Sequence, residues 1–380
     1  METIKRAIEE KVKQKLDTGK VILITGARRV GKTVLIKKIT DELNIPSLIF
    51  NGEDLTTHEL LSRRTIQNYK NLIGTKKLLV IDEAQKVPDI GNILKIIVDE
   101  MDGLKILISG SSAFDIFNKM GEPLTGRKIT FNLFPFSEGE LGNYESSTET
   151  FDNLKVRLVY GNYPEVYKLK NLDEKADYLK ELINSYLLKD ILVLEDIKNS
   201  SKLFSLLKLV AFQVGNEVSN HELGQQLGIS KNTVEKYLDL LSKVFILHKV
   251  QGFSRNLRKE VVKSSKWYFY DNGIRNAIIA NFSSLENRND IGILWENYII
   301  SERIKMQNYS RMIVNNYFWR TYDKQEIDWI EERGGKLFAF EFKWNEKKIK
   351  PPVAWRNTYR NSEFKVVHRN NYQEWLKLKS

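Results

Sequence analysis

The sequence contains no cysteine among its 380 residues, which excludes disulfide bonds and thiolate metal sites. It has only 4 histidines and no His-x-x-x-His pair, so a zinc site is not expected. No apolar run approaches the roughly 18 residues that a membrane-spanning helix needs, and the charged N-terminus lacks the apolar core of a signal peptide. We therefore expect a cytoplasmic protein that has no membrane partner.

Positive charge is in excess. The chain carries 60 Lys and Arg against 49 Asp and Glu, a formal net charge of +11. An excess of this size favours an acidic partner such as DNA but does not identify one. The length predicts two or three domains, which the motifs below place at about residues 1–165, 166–280 and 281–380.

The first motif joins an apolar strand that begins at Val21 to an amphipathic helix that begins near Lys32. The loop between them follows the pattern G-x-x-x-x-G-K-T, which is typical of phosphate-binding loops when a strand precedes it and a helix follows. Backbone amides in such a loop surround the phosphates, the lysine reaches the β- and γ-phosphates, and the threonine hydroxyl ligates Mg²⁺. The predicted nucleotide-binding residues are Gly26, Ala27, Arg28, Arg29, Val30, Gly31, Lys32 and Thr33.

A second motif follows about 45 residues later, where the apolar run Leu78–Ile81 leads into two acidic residues. We expect Asp82 to hold Mg²⁺ and Glu83 to polarise the attacking water as a general base. An apolar strand that ends in two acids is often only a strand that meets solvent. After a phosphate-binding loop, the functional interpretation is favoured, because both acids then lie at the carboxyl edge where α/β sheets bind ligands.

Two further positions are candidates for the same site. The strand Leu104–Ile108 ends in Ser109-Gly-Ser111, and either serine is placed to sense the γ-phosphate; the alternative is a plain turn. Arg127 lies beyond that strand, next to a glycine, and we predict an arginine finger that acts in its own subunit or in a neighbouring one.

Together these motifs resemble the prokaryotic AAA-type ATPases whose C-terminal half is the DUF4143 region. The resemblance extends to Leu-x-Pro-Phe-Ser at 133–137 and to Gly161-Asn-Tyr-Pro-Glu-Val166, in which Asn162 stands where the family has a glycine. It implies a P-loop domain of the AAA+ type with a parallel sheet, ATP rather than GTP as the nucleotide, Mg²⁺ as the metal, and an ATPase cycle.

The middle of the chain predicts a helical segment and then a winged helix-turn-helix. Helical spacing at 172–215 is followed by a helix at 217–227, a tight turn at Gly228–Ser230 and a second helix from Lys231. Two strands around a basic tip then form a wing. We expect Lys231, Asn232 and Thr233 to meet base edges, and Arg255, Arg258 and Lys259 to meet phosphates. Winged helices also serve as protein-interaction modules, so a protein partner is the alternative.

The last segment resembles the PD-(D/E)xK nuclease core, and so predicts an α/β module like a restriction endonuclease. Asp328 lies on one predicted strand, and Glu341 and Lys343 share a face of the next strand because side chains alternate. The two carboxylates would hold a divalent metal, Lys343 would orient the attacking water, and Glu296 would complete the acidic set from a helix. The alternative is a charged edge strand.

Three functions fit this sequence. The chain is a nucleotide-driven switch that acts on DNA or a protein, a nucleotide-gated Mg²⁺-dependent nuclease, or a DNA-binding regulator with a slow ATP site. A homo-oligomer is expected if Arg127 acts in a neighbouring subunit.

Overall fold

The computed structural model describes residues 4–110, 124–184, 200–254 and 265–377. The chain forms two compact units, Met1–Phe136 with Lys243–Phe245, and Ser137–Ser242 with Ile246–Ser380. In the described ranges, no helix is both long enough and apolar enough to cross a membrane.

The first unit alternates strands and helices. Its strands are β1 (Val21–Thr25), β2 (Ser47–Asn51), β3 (Leu78–Asp82), β4 (Lys105–Gly110) and β5 (Lys128–Asn132). Its helices are α1 (Glu9–Lys15), α2 (Lys32–Leu43), α3 (Leu55–Ser62), α4 (Ile66–Ile73) and α5 (Ile90–Glu100). Such alternation yields a parallel sheet, because each return to the same edge needs a crossover helix.

The five strands are all parallel and lie in the order β2-β3-β4-β1-β5. All five residues of β1 are buried, as expected of a central strand covered on both faces. The order places β4 between β1 and β3, so the carboxyl ends of these three strands meet at one edge. The predicted α/β fold with a parallel sheet is therefore confirmed for this unit.

The second unit contains the other α-helices of the described residues. They are α6 (Glu138–Leu141), α7 (Ser147–Tyr160), α8 (Pro164–Lys168), α9 (Leu172–Leu182), α10 (Ser200–Phe212), α11 (Asn220–Leu227), α12 (Lys231–Lys243), α13 (Asn272–Ile278), α14 (Ile291–Ser310), α15 (Val353–Thr358) and α16 (Tyr372–Lys377). Its strands are β6 (Glu217–Val218), β7 (Leu247–Gly252), β8 (Ser265–Phe269), β9 (Asn315–Arg320), β10 (Glu326–Arg333), β11 (Lys336–Phe342) and β12 (Glu363–Val367).

These seven strands form one sheet in the order β12-β11-β10-β9-β7-β8-β6. A short parallel pairing, Gln251 with Tyr317 and Gly252 with Phe318, joins β7 to β9. The sheet therefore runs across the domain boundary predicted between residues 280 and 281, because this pairing links strands from both sides of it.

The Gly-Asn-Tyr-Pro stretch has a structural role. A side chain at Gly161 would lie 1.9 Å from the Asp271 carboxylate, and the Asn162 amide donates to that carboxylate at 2.7 Å. Asp271 also accepts from the amides of Gly273 and Ile274, which caps α13. Burial raises the pKa of Asp271, and the positive charge of Lys305 and these amides oppose that effect. The stretch thus fixes the turn after α7 against the start of α13.

His248 on β7 gives the fold a dependence on pH. Its ring packs edge-on to Tyr270, with Nδ1 3.3 Å from the tyrosine hydroxyl. Burial lowers the pKa of His248 from 6.5 to about 4. Between these two pKa values the unfolded chain binds a proton that the folded chain does not. The contribution of neutral His248 to the free energy of unfolding is therefore fully present above pH 6.5 and is lost as the pH drops towards 4.

We predict that His248→Gln, which cannot titrate, removes this component of the pH dependence. The loss of stability between pH 6.5 and pH 4 should be smaller in the variant by about 3 kcal/mol at most, the size set by the pKa difference. Urea unfolding at a series of pH values, followed by the tryptophan fluorescence of the second unit, measures this difference in the free energy of unfolding. Parallel curves for the two proteins would contradict the assignment.

Candidate functional site

The phosphate-binding loop is held tightly against the backbone that follows β5. Gly31 has a φ of 97°, a left-handed conformation that favours glycine. A side chain at Gly26 would lie 2.0 Å from the Leu133 carbonyl oxygen, so only glycine allows this approach. The Leu133 amide donates to the carbonyl of Thr25 at 2.7 Å and extends the pairing of β1 with β5.

Lys32 begins α2 and is buried, with 5% of its surface exposed. Its Nζ donates to the carbonyls of Gly26 at 3.1 Å and Ala27 at 2.9 Å, so the ammonium group spans its own loop. Carbonyl oxygens are weaker partners for a buried ammonium group than phosphate oxygens. The loop therefore presents a charged donor that a polyphosphate can take over.

Thr33, Asp82 and Ser109 meet at the carboxyl edge of the sheet. The Thr33 hydroxyl donates to Asp82 Oδ2 at 2.7 Å. The Ser109 hydroxyl donates to the other oxygen, Oδ1, and accepts from the Glu83 amide at 3.1 Å. Hydroxyl and carboxylate oxygens are the ligands that Mg²⁺ prefers, and Thr33 and Asp82 already lie side by side. The residues present thus fit the metal that accompanies a nucleoside triphosphate.

Glu83 lies just beyond β3 in a left-handed conformation, with a φ of 48°. Its Oε2 accepts from Gln85 Nε2 at 2.6 Å. A side chain at Gly52 would lie 2.2 Å from the Glu83 carbonyl oxygen, so the end of β2 packs directly on this backbone. Backbone and side chain of Glu83 are therefore both fixed, and the carboxylate is held by a neutral donor rather than by a cation.

Of the two predicted sensor serines, the structure describes only Ser109. Ser109 is fully buried at the end of β4 and orients the Asp82 carboxylate and the Glu83 amide. A direct role towards phosphate stays a prediction. Ser111 lies outside the described residues.

Arg127 lies at the amino edge of the sheet, where the strands begin, and the phosphate-binding loop lies at the carboxyl edge. Arg127 precedes β5, and its carbonyl accepts from the amide of Val21, the first residue of β1. The phosphate-binding loop follows the last residue of β1, about 16 Å away along a five-residue strand. The Arg127 guanidinium forms two hydrogen bonds to Asp99, at 2.6 and 3.1 Å, and lowers the pKa of that carboxyl. A finger within its own subunit is therefore excluded by this geometry.

The predicted helix-turn-helix residues lie on an exposed helix start. Gly228 ends α11 in a left-handed conformation, and the Ser230 hydroxyl accepts from the Thr233 amide at 3.1 Å to cap α12. Lys231 and Asn232 are exposed and line a cleft of about 600 Å³ between α12 and strands β7 and β8. Arg255, Arg258 and Lys259 lie outside the described residues.

The carboxylates of the C-terminal segment converge. Trp329 on β10 pairs with Phe340 on β11, which brings Asp328 next to Glu341. Lys343 Nζ lies 2.7 Å from Glu341 Oε1 and 3.6 Å from Asp328 Oδ2. The Phe342 amide donates to Asp328 Oδ2 at 2.8 Å. The structure thus places the three predicted residues in one contact group.

Glu296 faces the same group from α14. It accepts from the Tyr268 hydroxyl at 2.7 Å. Burial, and then the charge of Asp328, raise the pKa of Glu296 to about 8. On β8, Lys266 has 1% of its side chain exposed and forms an ion pair with Glu326.

In the conformation described, this group lacks the three ligands of a ready metal site. Among the residues that the structure describes, no set of three or more His, Asp and Glu side chains is arranged to hold a metal ion. The Lys343 ammonium group lies close to both Glu341 and Asp328 and balances part of their negative charge. The metal role of these residues therefore stays a prediction.

Sequence reasoning missed two kinds of residue. Arg6 contacts the phosphate-binding loop and belongs to no recognisable motif, whereas Gln85, which contacts Glu83, ends the Asp-Glu-Ala-Gln stretch but had no role predicted for it. Lys266 and Tyr268 had a usable signal, because a lysine inside an aromatic strand is rarely buried unless it is paired. Their alternation on β8 places both on the face of Glu296 and Glu326.

Three family models match successive parts of the chain. The AAA domain matches residues 18–142, a domain of unknown function (DUF8612) matches 151–285, and another domain of unknown function (DUF4143) matches 291–373. The first and last matches confirm an AAA-type P-loop ATPase domain and a DUF4143 domain. They leave the winged helix and the nuclease-like module as proposals.

Similar proteins occur in bacteria and archaea. An uncharacterized protein of Haemophilus influenzae is 26% identical and covers 95% of this chain and 92% of its own length. An uncharacterized protein of Mycobacterium tuberculosis is 24% identical, over 89% of this chain and 74% of its own length.

Two solved structures are also similar. A Walker-type ATPase of Pyrococcus abyssi is 16% identical, covers 73% of this chain and 96% of its own, and has a TM-score of 0.48. The RuvB Holliday junction branch migration motor of Thermotoga maritima is 17% identical, covers 63% and 89%, and has a TM-score of 0.32.

Proposed function

We propose that this chain binds and hydrolyses ATP with Mg²⁺ at the carboxyl edge of the five-stranded sheet, and that the cycle acts as a switch on DNA or on a protein partner. One observation carries the proposal: the Thr33 hydroxyl and the Asp82 carboxylate are hydrogen-bonded at 2.7 Å beside the loop that holds Lys32. The AAA domain match to residues 18–142 supports it.

Each group has a stated role. Lys32 and the loop amides bind the phosphates, and Thr33 and Asp82 would hold Mg²⁺, which neutralises phosphate charge. Glu83 accepts a proton from the attacking water, and Gln85 holds its carboxylate at 2.6 Å. Ser109 orients Asp82 and the Glu83 backbone from the neighbouring strand β4.

A homo-oligomer is part of the proposal. Arg127 is about 16 Å along the strand from the phosphate-binding loop of its own subunit, so it reaches a γ-phosphate only in a neighbouring one. The Arg127 guanidinium would then have to break its ion pair with Asp99 and bind the γ-phosphate instead.

We predict that two substitutions separate binding from chemistry. Lys32→Ala should abolish tight ATP binding, because phosphate charge is left without its cation. Glu83→Gln should keep binding and reduce hydrolysis about 10²–10⁴-fold, the usual contribution of a general base. Fluorescent-nucleotide binding and phosphate release measure the two effects, with Lys37→Ala and Glu59→Gln as matched controls on exposed helix positions. Equal turnover in the wild type and Glu83→Gln would remove Glu83 from the mechanism.

DNA contact through α12 is favoured by the cleft beside it. Lys231, Lys236 and Lys249 line this cleft together with Trp267, and Glu235 and Asp239 are its acidic members. The element order α10-β6-α11-α12-β7-β8, with β8 between β6 and β7, supports the winged-helix proposal.

We expect DNA affinity to fall steeply with salt, because lysines release counterions from phosphates. Replacing Lys231 and Lys249 by alanine should reduce the slope of log K against log salt by about 1 for each phosphate that the variant no longer neutralises. Fluorescence anisotropy of duplex DNA between 50 and 200 mM salt, roughly the range over which such effects are large, measures this slope. Lys180→Ala, a surface lysine on α9, is the control. An unchanged slope would favour the protein-interaction alternative.

The nuclease alternative is favoured by the contact group of Asp328, Glu341 and Lys343. If it is active, DNA should be cut in the presence of ATP with Mg²⁺ or Mn²⁺, and Asp328→Asn should stop the cutting while Asp323→Asn, an exposed turn residue, should not. Gel analysis of supercoiled plasmid measures this. If the wild type leaves DNA intact under all these conditions, the module is a nuclease fold that binds without cutting.

A further inference from the structure

Arg6 is a buried arginine just before α1, with 6% of its surface exposed. Its Nη1 donates to the Val30 carbonyl at 2.8 Å and its Nη2 to the Phe134 carbonyl at 2.6 Å. The guanidinium carbon lies 4.8 Å from the centre of the Phe136 ring. One side chain therefore joins the phosphate-binding loop to the segment that follows β5.

The contact to Val30 fixes a peptide that matters for phosphate binding. The C=O of Val30 and the N–H of Gly31 belong to one planar trans peptide, so they point in opposite directions. When Arg6 holds the carbonyl, the Gly31 N–H must face away from Arg6. A loop binds an anion only if its amides face the anion and its carbonyls face outward. Arg6 thus sets the orientation of one amide in the loop.

Gly31 makes this control necessary. Glycine takes left-handed and right-handed conformations with similar ease, so the peptide before it rotates readily unless something fixes it. A side chain at Gly31 would lie 3.7 Å from Arg6 Nη1, so the two groups are neighbours. Gly26 lets the loop approach the Leu133 backbone, and Arg6 restricts the peptide between Val30 and Gly31 to one orientation.

We infer that Arg6 is a positioning residue for nucleotide binding, one that keeps the phosphate-binding loop in its binding-competent conformation. The inference rests on the proposed ATP site. Only a planar guanidinium offers two donors in fixed geometry to two carbonyls while stacking on an aromatic ring, so lysine replaces it incompletely.

The expected effect has a specific kinetic form. If the loop is competent for only a fraction of the time without Arg6, the apparent Kd rises by the inverse of that fraction. Once ATP is bound, the loop is in place and the chemical step is unchanged. Loss of Arg6 should therefore raise Kd and KM and leave kcat nearly unchanged, whereas simple misfolding would lower the active fraction at constant Kd.

The test uses the full chain as wild type, Arg6→Ala, Arg6→Lys and the control Lys13→Ala. The control removes a positive charge from α1 whose ion pairs are with Glu9 and Glu10 of the same helix and with Glu42 of α2. Kd for a fluorescent ATP analogue, kcat, KM and melting temperature are measured. Guanidinium chloride at about 10 mM, far below the concentrations that unfold proteins, is added to refill the site, with equimolar NaCl as control.

We expect Kd to rise about tenfold or more in Arg6→Ala, the effect of removing a hydrogen bond from a charged donor, with a smaller rise in Arg6→Lys. Guanidinium should lower the Kd of Arg6→Ala and leave Lys13→Ala unaffected. A Kd equal to that of the wild type, or a lower active fraction at unchanged Kd, would overturn the inference and leave the proposed function intact. If Arg6→Ala does not fold, the Kd, kcat, KM and melting temperature of Arg6→Lys test the inference in its place. A wild type that binds no nucleotide would overturn both.

Discussion

The hydrogen bond between the Thr33 hydroxyl and the Asp82 carboxylate joins the start of α2, which follows β1 through the phosphate-binding loop, to the end of β3. Strand β4 lies between β1 and β3, so these two strands are about 10 Å apart, and the loop after β1 brings Thr33 across the end of β4 to Asp82. Ser109 at that end binds the same carboxylate. The parallel register of three strands thus brings a loop, an acid pair and a hydroxyl to one point, and the glycine approaches at Gly26 and Gly52 keep them there.

The sequence predicts that these residues share one edge of the sheet, because each motif is tied to a strand end. Gly26, Asp82 and Ser109 all follow apolar runs, and residues that follow parallel strands share an edge. The same rule places Arg127 elsewhere, since it precedes β5 and so lies at the amino edge. The strand order and the partner Gln85 could not be predicted, because they depend on tertiary packing that leaves no periodic signal. The Gly-Asn-Tyr-Pro stretch likewise gave no sign that Asp271, more than 100 residues away, would be its partner.

In the second unit, most local signals were reliable, although Glu217–Val218 forms β6 and not the start of the helix predicted at 217–227. The turn from Gly228 to Ser230 and the alternation of Glu341 with Lys343 were readable from spacing alone. The two-residue pairing of β7 with β9, which joins seven strands into one sheet, was not. Its consequence is chemical as well as structural, because the sheet carries Lys266 from β8 towards Glu326 and Glu296. Four carboxylates and two ammonium groups then share one region, and the lysines neutralise part of the charge that a metal would otherwise balance.

All of these roles depend on ATP occupying the carboxyl edge of the five-stranded sheet, and hydrogen exchange measures this directly. The full chain is compared with and without a non-hydrolysable ATP analogue and Mg²⁺, and exchange is followed peptide by peptide. We predict slower exchange in residues 26–33 and around Asp82 and Glu83, and no change around Arg127 in a monomeric sample. Protection that is absent from the loop at 26–33, or that appears at the amino edge of the sheet instead, would contradict it.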